Sequence, residues 1–213
     1  MRAYPLALAV LILAAACSGT PTQPSPTLLT VPLASTAWDT ISDPQPFPLS
    51  NEGANLVFEF PSSGSMHYLF TASARPNLRG TIVVSLQVAT TGPVLFNSLD
   101  PQSGSCAIPS SVRPFFWAND NGSGPYDRWW SNPRAYALAE GTTTIAVPLE
   151  AQNWSSVNGR YGNADSETKF LFDRALLNVT RIGLTFGGGC SFGHGINVQG
   201  GAARFTLSGY SVQ

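Results

Sequence analysis

The sequence predicts an all-β fold, a sandwich or barrel with one short packed helix, and three observations carry that prediction. From residue 36 onward the chain consists of short runs of alternating apolar and polar residues separated by clusters of Gly, Pro, Ser and Asn. Only 11% of its 213 residues are charged, against 43% hydrophobic, so Ser, Thr, Asn and Gly carry the solubility, as in many secreted β-proteins. A single stretch has helical spacing, and neither an internal repeat nor a break in composition marks a second domain.

The clearest strands fall at residues 56–60, 82–88, 143–147, 181–186 and 203–207. In the second, Ile82, Val84, Leu86 and Val88 point one way while Val83, Ser85 and Gln87 point the other, the pattern of a half-solvated strand. Further strands are expected at 67–71, 112–117, 126–130, 134–138 and 194–198, with loops at 97–111 and 119–125. The helix is expected over 166–178, capped by Asp165 or Ser166, with Glu167 near the positive end of its dipole. Phe172, Ala175, Leu176 and Val179 follow i, i+3, i+4, i+7 and form the face that packs on the sheets.

The N-terminus predicts export. Met1-Arg2-Ala3-Tyr4 leads into an apolar run from Leu6 to Ala16, about half the ~20 residues that a bilayer-spanning helix needs, so residues 1–16 form a signal peptide. Leu13-Ala14-Ala15-Ala16-Cys17 resembles the lipobox of bacterial lipoproteins, which implies lipidation of Cys17 and anchoring in a membrane. Ser18 after the cysteine implies, by the same resemblance, the outer membrane. Ala14-x-Ala16 also fits the ordinary signal peptidase, which would give a periplasmic or secreted soluble protein. Residues 17–35, with Pro21, Pro24, Pro26 and Pro32 among Ser and Thr and no charge, form a tether in one case and a disordered tail in the other. The folded domain is expected to occupy 36–213.

Without Cys17, an exported chain keeps Cys106 and Cys190, an even pair whose default state is a disulfide. The alternative is a Cys190 nucleophile served by His194.

The C-terminal third carries a short helix, Val179-Thr180-Arg181-Ile182-Gly183-Leu184-Thr185-Phe186, a glycine-rich stretch and Ala203-Arg204-Phe205-Thr206-Leu207. That layout resembles the closing strands of galactose-binding-like jelly rolls, an architecture shared by many carbohydrate-binding modules. The resemblance implies an antiparallel β-sandwich and, for function, only an analogy of fold. The chain is also similar to uncharacterised bacterial exported proteins with an RWWS-type and a GGG-x-x-FGHG-type stretch.

The chemistry-bearing candidates concentrate in one region. Phe115, Phe116, Trp117, Tyr126, Trp129, Trp130, Tyr136, Trp154 and Tyr161 are of the types that stack on the C–H face of a sugar, whose hydroxyls require polar side chains at the ring edges. Tyr126, Asp127, Arg128, Trp129, Trp130, Asn132 and His194 are therefore the candidate ligand residues. Trp129 and Trp130 are neighbours on a strand and point to opposite faces, so at least one belongs to the core or to a sheet covering. The stretch from Gly187 to Gly195 lacks the Gly-Lys-Ser/Thr of a phosphate loop and reads as a strand connection needing positive φ and close approach, or as the floor of a cleft with His194 as a polar contact. Asn119-Asp120-Asn121-Gly122-Ser123-Gly124 lacks the ligand spacing of a calcium loop and reads as a turn, and two distant histidines, His67 and His194, give poor support for zinc. No metal or cofactor is expected.

A balance of 11 basic against 12 acidic residues argues against a nucleic-acid surface. No Gly-x-Ser-x-Gly elbow is present, and the acids are scattered. The sequence thus predicts a lipid-anchored, non-enzymatic envelope binding module for carbohydrate or another envelope ligand. The alternatives are an assembly lipoprotein that binds a protein partner and, third, a glycan hydrolase.

Overall fold

The computed structural model describes residues 28–72, 75–98, 109–119, 124–132, 136–188 and 194–213. The expected signal peptide, Cys17, Cys106, Cys190 and most of the expected 119–124 turn lie outside the described residues. The strands are β1 (Leu29–Thr30), β2 (Asp39–Asp43), β3 (Ser50–Glu52), β4 (Asn55–Glu59), β5 (Ser65–Thr71), β6 (Thr81–Thr91), β7 (Leu95–Ser98) and β8 (Ser111–Ala118). They continue with β9 (Arg128–Ser131), β10 (Tyr136–Ala137), β11 (Gly141–Pro148), β12 (Trp154–Ser156), β13 (Val179–Gly187), β14 (Ile196–Gln199) and β15 (Ala202–Val212), and one α-helix, α1, spans Ser166–Leu176.

They form two antiparallel sheets. One runs β11-β6-β15-β4-β3 with β1 added on β15, and the other runs β12-β9-β8-β13-β5-β14-β7 with β2 on β5 and β10 on β8. Eight strands, β4, β5, β6, β8, β9, β11, β13 and β15, define the connectivity. Numbered in that order, they stand as first-eighth-third-sixth in one sheet and second-seventh-fourth-fifth in the other. Every successive pair but the fourth and fifth thus crosses between sheets, the order of two nested Greek keys, which is a jelly roll.

The core lies between the sheets. Ile82, Val84, Leu86 and Val88 are all buried on the inner face of β6, as their alternation predicts. Phe58, Phe60, Phe186 and Phe205 interlock near the centre, with Phe58 stacked on Phe205 at 4.9 Å and Phe60 edge-on to Phe186 at 5.6 Å. The three buried indoles of this core each donate to a backbone carbonyl: Trp38 to Pro32 (2.8 Å), Trp129 to Tyr126 (2.9 Å) and Trp154 to Pro148 (2.9 Å). Tyr210 donates to the Gly183 carbonyl at 3.3 Å, and burial pushes its phenol far above the ordinary tyrosine range.

Helix α1 follows its sequence. The Asp165 carboxylate accepts from the Thr168 backbone N–H at 2.8 Å, and Phe172, Ala175 and Leu176 are the buried face. The Phe172 ring lies 5.0 Å from Trp129 and 6.0 Å from Phe116, so α1 covers the inner face of β8 and β9. The backbone and side chain of Thr168 hold the Asp165 carboxyl below the ordinary carboxylate range, and Arg160 pairs with it. Its folded pKa being depressed, its contribution is present above the ordinary carboxylate range and is lost as pH falls through the depressed value. Asp165→Ala is expected to lower the melting temperature by about 2–4 °C at neutral pH and by less in acid, checked by thermal scans at both.

Two expectations about boundaries change. The folded unit reaches back to Leu29, because β1 pairs with Ser211 and Val212 and Val31 is buried with its N–H bonded to the Tyr210 carbonyl at 2.9 Å. The helix stops at Leu176 rather than residue 178, since Val179 is claimed by β13 and buried in the core. Among the described residues no helix is long and apolar enough to cross a membrane.

Candidate functional site

The nine-stranded sheet is apolar on both faces, and its outer face holds a second aromatic layer separate from the core. Tyr68, Phe70, Phe115, Trp117 and Trp130 form this layer, with Val157 packed against it. Alternation places them there. On β8, Val112 and Phe116 point into the sandwich, so Phe115 and Trp117 point out, and the cross-strand partners Trp130 on β9 and Gly183 on β13 share their face. The rings brace one another: Tyr68 lies 5.0 Å from Phe115 and Phe70 lies 6.0 Å from Trp117 in a stacked pose. Gly183 sits beneath them because a Cβ there would overlap the Leu69 carbonyl and lie 2.7 Å from Phe70 Cα.

Guanidinium groups cover these rings. Arg181 lies 4.8 Å from the Trp117 centroid and 5.0 Å from that of Phe70, while Arg128 lies 6.0 Å from Trp117 and 5.9 Å from Trp130. Both arginines are half-buried and directly opposite Trp117, one on each neighbouring strand. Arg113, two residues before Phe115 on the same face, is only 3% exposed, and burial pulls its guanidinium down to about 10, with the Tyr161 phenol opposing the shift. Tyr161 bridges to Ser155, the partner of Trp130, and at 38% exposure is the aromatic ring that this face offers to solvent.

The residues singled out in the sequence divide among several environments. Trp129 is fully buried against Phe172 and Tyr126, so it belongs to the core and offers no surface to a ligand. Trp130, at 1% exposure, points to the other face and belongs to the outer layer beneath Arg128. Tyr126 is half-buried on Trp129, and its hydroxyl engages Arg160. Asp127 spends its oxygens inside its own turn, accepting from Asn119 Nδ2 at 2.7 Å and from the Gly124 N–H at 2.8 Å. Asn132 donates to Ser155 Oγ at 3.1 Å and bonds its N–H to the Asn153 carbonyl. Their polar groups are consumed by folding. Arg128 is the residue of that segment that reaches the outer face without an ion-pair partner among the described residues.

His194 is exposed where the glycine-rich stretch returns to the sheet. β13 and β14 lie along the same edge of β5: Thr185 pairs with Tyr68, and the next pairing is Ile196 with Met66. The stretch is thus an excursion from one line of strand, closed at its neck by the Gly195 N–H on the Phe186 carbonyl at 3.1 Å. Gly195 has φ +92°, and a Cβ there would lie 2.6 Å from that of Ser65, which fits the expected need for positive φ and close approach. His67 lies beside this neck with Nε2 2.6 Å from Ser65 Oγ, a pairing that no motif or spacing in the sequence signals. A separate cleft of about 340 Å³ opens beside β2, lined by Ser35, Trp38, Asp39, Thr40, Gln45 and Phe47.

No family model matches the chain, and no curated protein matches it. Among solved structures the chain is similar to the L4b domain of human laminin alpha-2, with 9% sequence identity and a TM-score of 0.47, over 88% of this chain and 97% of that one.

Proposed function

We propose that the chain is an exported, lipid-tethered, non-enzymatic binding module that takes carbohydrate on the outer face of its nine-stranded sheet. The observation that carries this reading is the second aromatic layer, capped by guanidinium groups and flanked by the exposed ring of Tyr161. Five large aromatics outside the sandwich core, none more than 7% exposed, make this outer face far more apolar than the ordinarily polar outer face of a sheet. A sugar ring meets such a face with C–H groups on a tyrosine ring and hydroxyls on N–H donors. The tether belongs to the same proposal: lipid on Cys17 and the Pro-rich segment behind it would hold the sandwich clear of an outer membrane.

The test is a glycan-array and titration screen of the purified protein. Tyr161→Ala is expected to weaken binding about tenfold, equivalent to ~1.4 kcal/mol, with the melting temperature unchanged, while Tyr161→Phe retains affinity. A panel on which nothing binds would overturn the carbohydrate reading.

A further inference from the structure

We infer that the ligand of this face is acidic, with Arg128 and Arg181 acting as paired receptors for the carboxylates of a uronate-containing polysaccharide. The inference rests on the carbohydrate reading and adds the charge of the ligand to it.

Both arginines are register partners of Trp117, so their Cα atoms stand about two strand spacings apart, roughly 10 Å. Each guanidinium lies over aromatic rings at 4.8–6.0 Å. A ring at this distance partly desolvates the cation, but a cation–π contact consumes none of the N–H donors of the guanidinium fork that grips a carboxylate.

No ion pair among the described residues compensates the charge of the pair. Among the described residues neither arginine makes an ion pair, whereas Arg160 pairs with Asp165, Lys169 with Asp173, and Arg204, on the other sheet, with both Glu52 and Glu59. Two described acids close by in sequence or register make no ion pair with them. Asp127, next in sequence to Arg128, is occupied by Asn119 and Gly124, and Asp39, opposite Phe70 on the same face, forms no ion pair among the described residues. Two buried donors on this face, Arg128 Nε and Trp117 Nε1, have no hydrogen-bond partner among the described residues. Cations held over aromatic rings, without an ion pair among the described residues and set beside unspent donors, call for an acceptor-rich anion. A uronate polymer supplies carboxylates to both forks and ring faces to Tyr161, and engagement at two points raises its affinity on an open sheet face.

The experiment is calorimetric titration of the purified protein with oligomers of galacturonate, glucuronate and mannuronate, each beside its neutral methyl ester, and with polyglutamate and inorganic phosphate as anions that lack a sugar. The expected result is at least tenfold tighter binding of an acid than of its ester, weakened by added salt. Arg128→Gln and Arg181→Gln should each lower that affinity about tenfold, while Arg204→Gln on the opposite sheet leaves it unchanged. Equal binding of acid and ester would overturn the inference and leave the carbohydrate reading standing. Binding of polyglutamate or phosphate as tight as that of the uronate would overturn the assignment to sugar, and binding of no oligomer at all would overturn the inference while the glycan array decides the carbohydrate reading. Should either arginine variant fail to fold, the acid-to-ester ratio of the unmodified protein still decides.

Discussion

Gly183→Ala is expected to destabilise the fold by about 3 kcal/mol or more, although it adds only one methyl group. Gly183 lies mid-strand on β13, paired with Phe70 on one side and Phe115 on the other. A Cβ would run into the Leu69 carbonyl and the Phe70 backbone, atoms that the ladder holds on both sides and that have nowhere to retreat. The same residue carries the outer aromatic layer above it and accepts the buried Tyr210 hydroxyl below, so the disturbance reaches both faces of the sheet. At about 2–4 °C per kcal/mol for a chain of this size, the melting temperature should fall by roughly 6–12 °C. Gly53 supplies the control. It sits in the β3–β4 turn at φ +59°, and a Cβ added there would meet nothing within 4 Å, so its need for glycine is conformational and Gly53→Asn should be nearly neutral. Thermal denaturation of the two variants separates the causes: equal losses would show that Gly183 is not sterically held.

How much of this was legible in the sequence depended on whether each strand had one wet face. β6 could be read directly, because its buried set at 82, 84, 86 and 88 alternates with smaller or polar residues. β8 could be located but not oriented, since Phe115, Phe116 and Trp117 are large and apolar on both sides and period two cannot say which side is the core. The opposition of Trp129 and Trp130 followed from strand geometry alone and is observed, one in the core and one in the outer layer. Short edge strands were missed: β2 is Asp-Thr-Ile-Ser-Asp and β3 is Ser-Asn-Glu, segments with turn-like composition whose extended state is imposed by a partner strand.

The candidate site was only half legible, for a related reason. Asp127 and Asn132 have the polarity that a sugar requires, but whether a side chain faces a ligand or its own backbone is decided by turn geometry over a few residues, which composition does not encode. Arg181 and Arg113 stand in the sequence as single charges on expected strands. The available signal was their period-two phase with the aromatics, Arg113-x-Phe115-x-Trp117 on β8, and it gains meaning only once register sets Arg181 beside Trp117.

Joining Cys106 to Cys190 is expected to contribute roughly 4–5 kcal/mol, because the bridge would close a loop of about 80 residues and remove that freedom from the unfolded chain. Both cysteines lie outside the described residues, so the bridge is a proposal, and the segments on either side of them support it. Ser98, the last residue of β7, pairs with Ile196, and a Cβ on Gly188 would lie 2.7 Å from Ser98 Oγ. At the other end of the same segment, Ser111 pairs with Gly187 and donates its hydroxyl to the Gly187 carbonyl at 3.1 Å. The chain that carries Cys106 therefore leaves and rejoins the sheet beside the residues from which the Cys190 stretch departs, and Cys190 follows Gly188 by two residues while Cys106 precedes Ser111 by five, spans that extended chain covers at roughly 7 Å and 17 Å. In a Cys17→Ser background, the native protein should resist alkylation until reduced and then take two labels, and Cys106→Ser should expose a reactive Cys190 and lower the melting temperature by about 10 °C or more. Rapid alkylation of Cys190 without reductant would overturn the bridge and restore the alternative of a nucleophilic thiol beside the exposed His194. If the bridge forms, that thiol is not available as a nucleophile, and the glycine-rich excursion becomes a pinned connection at one end of the sheet.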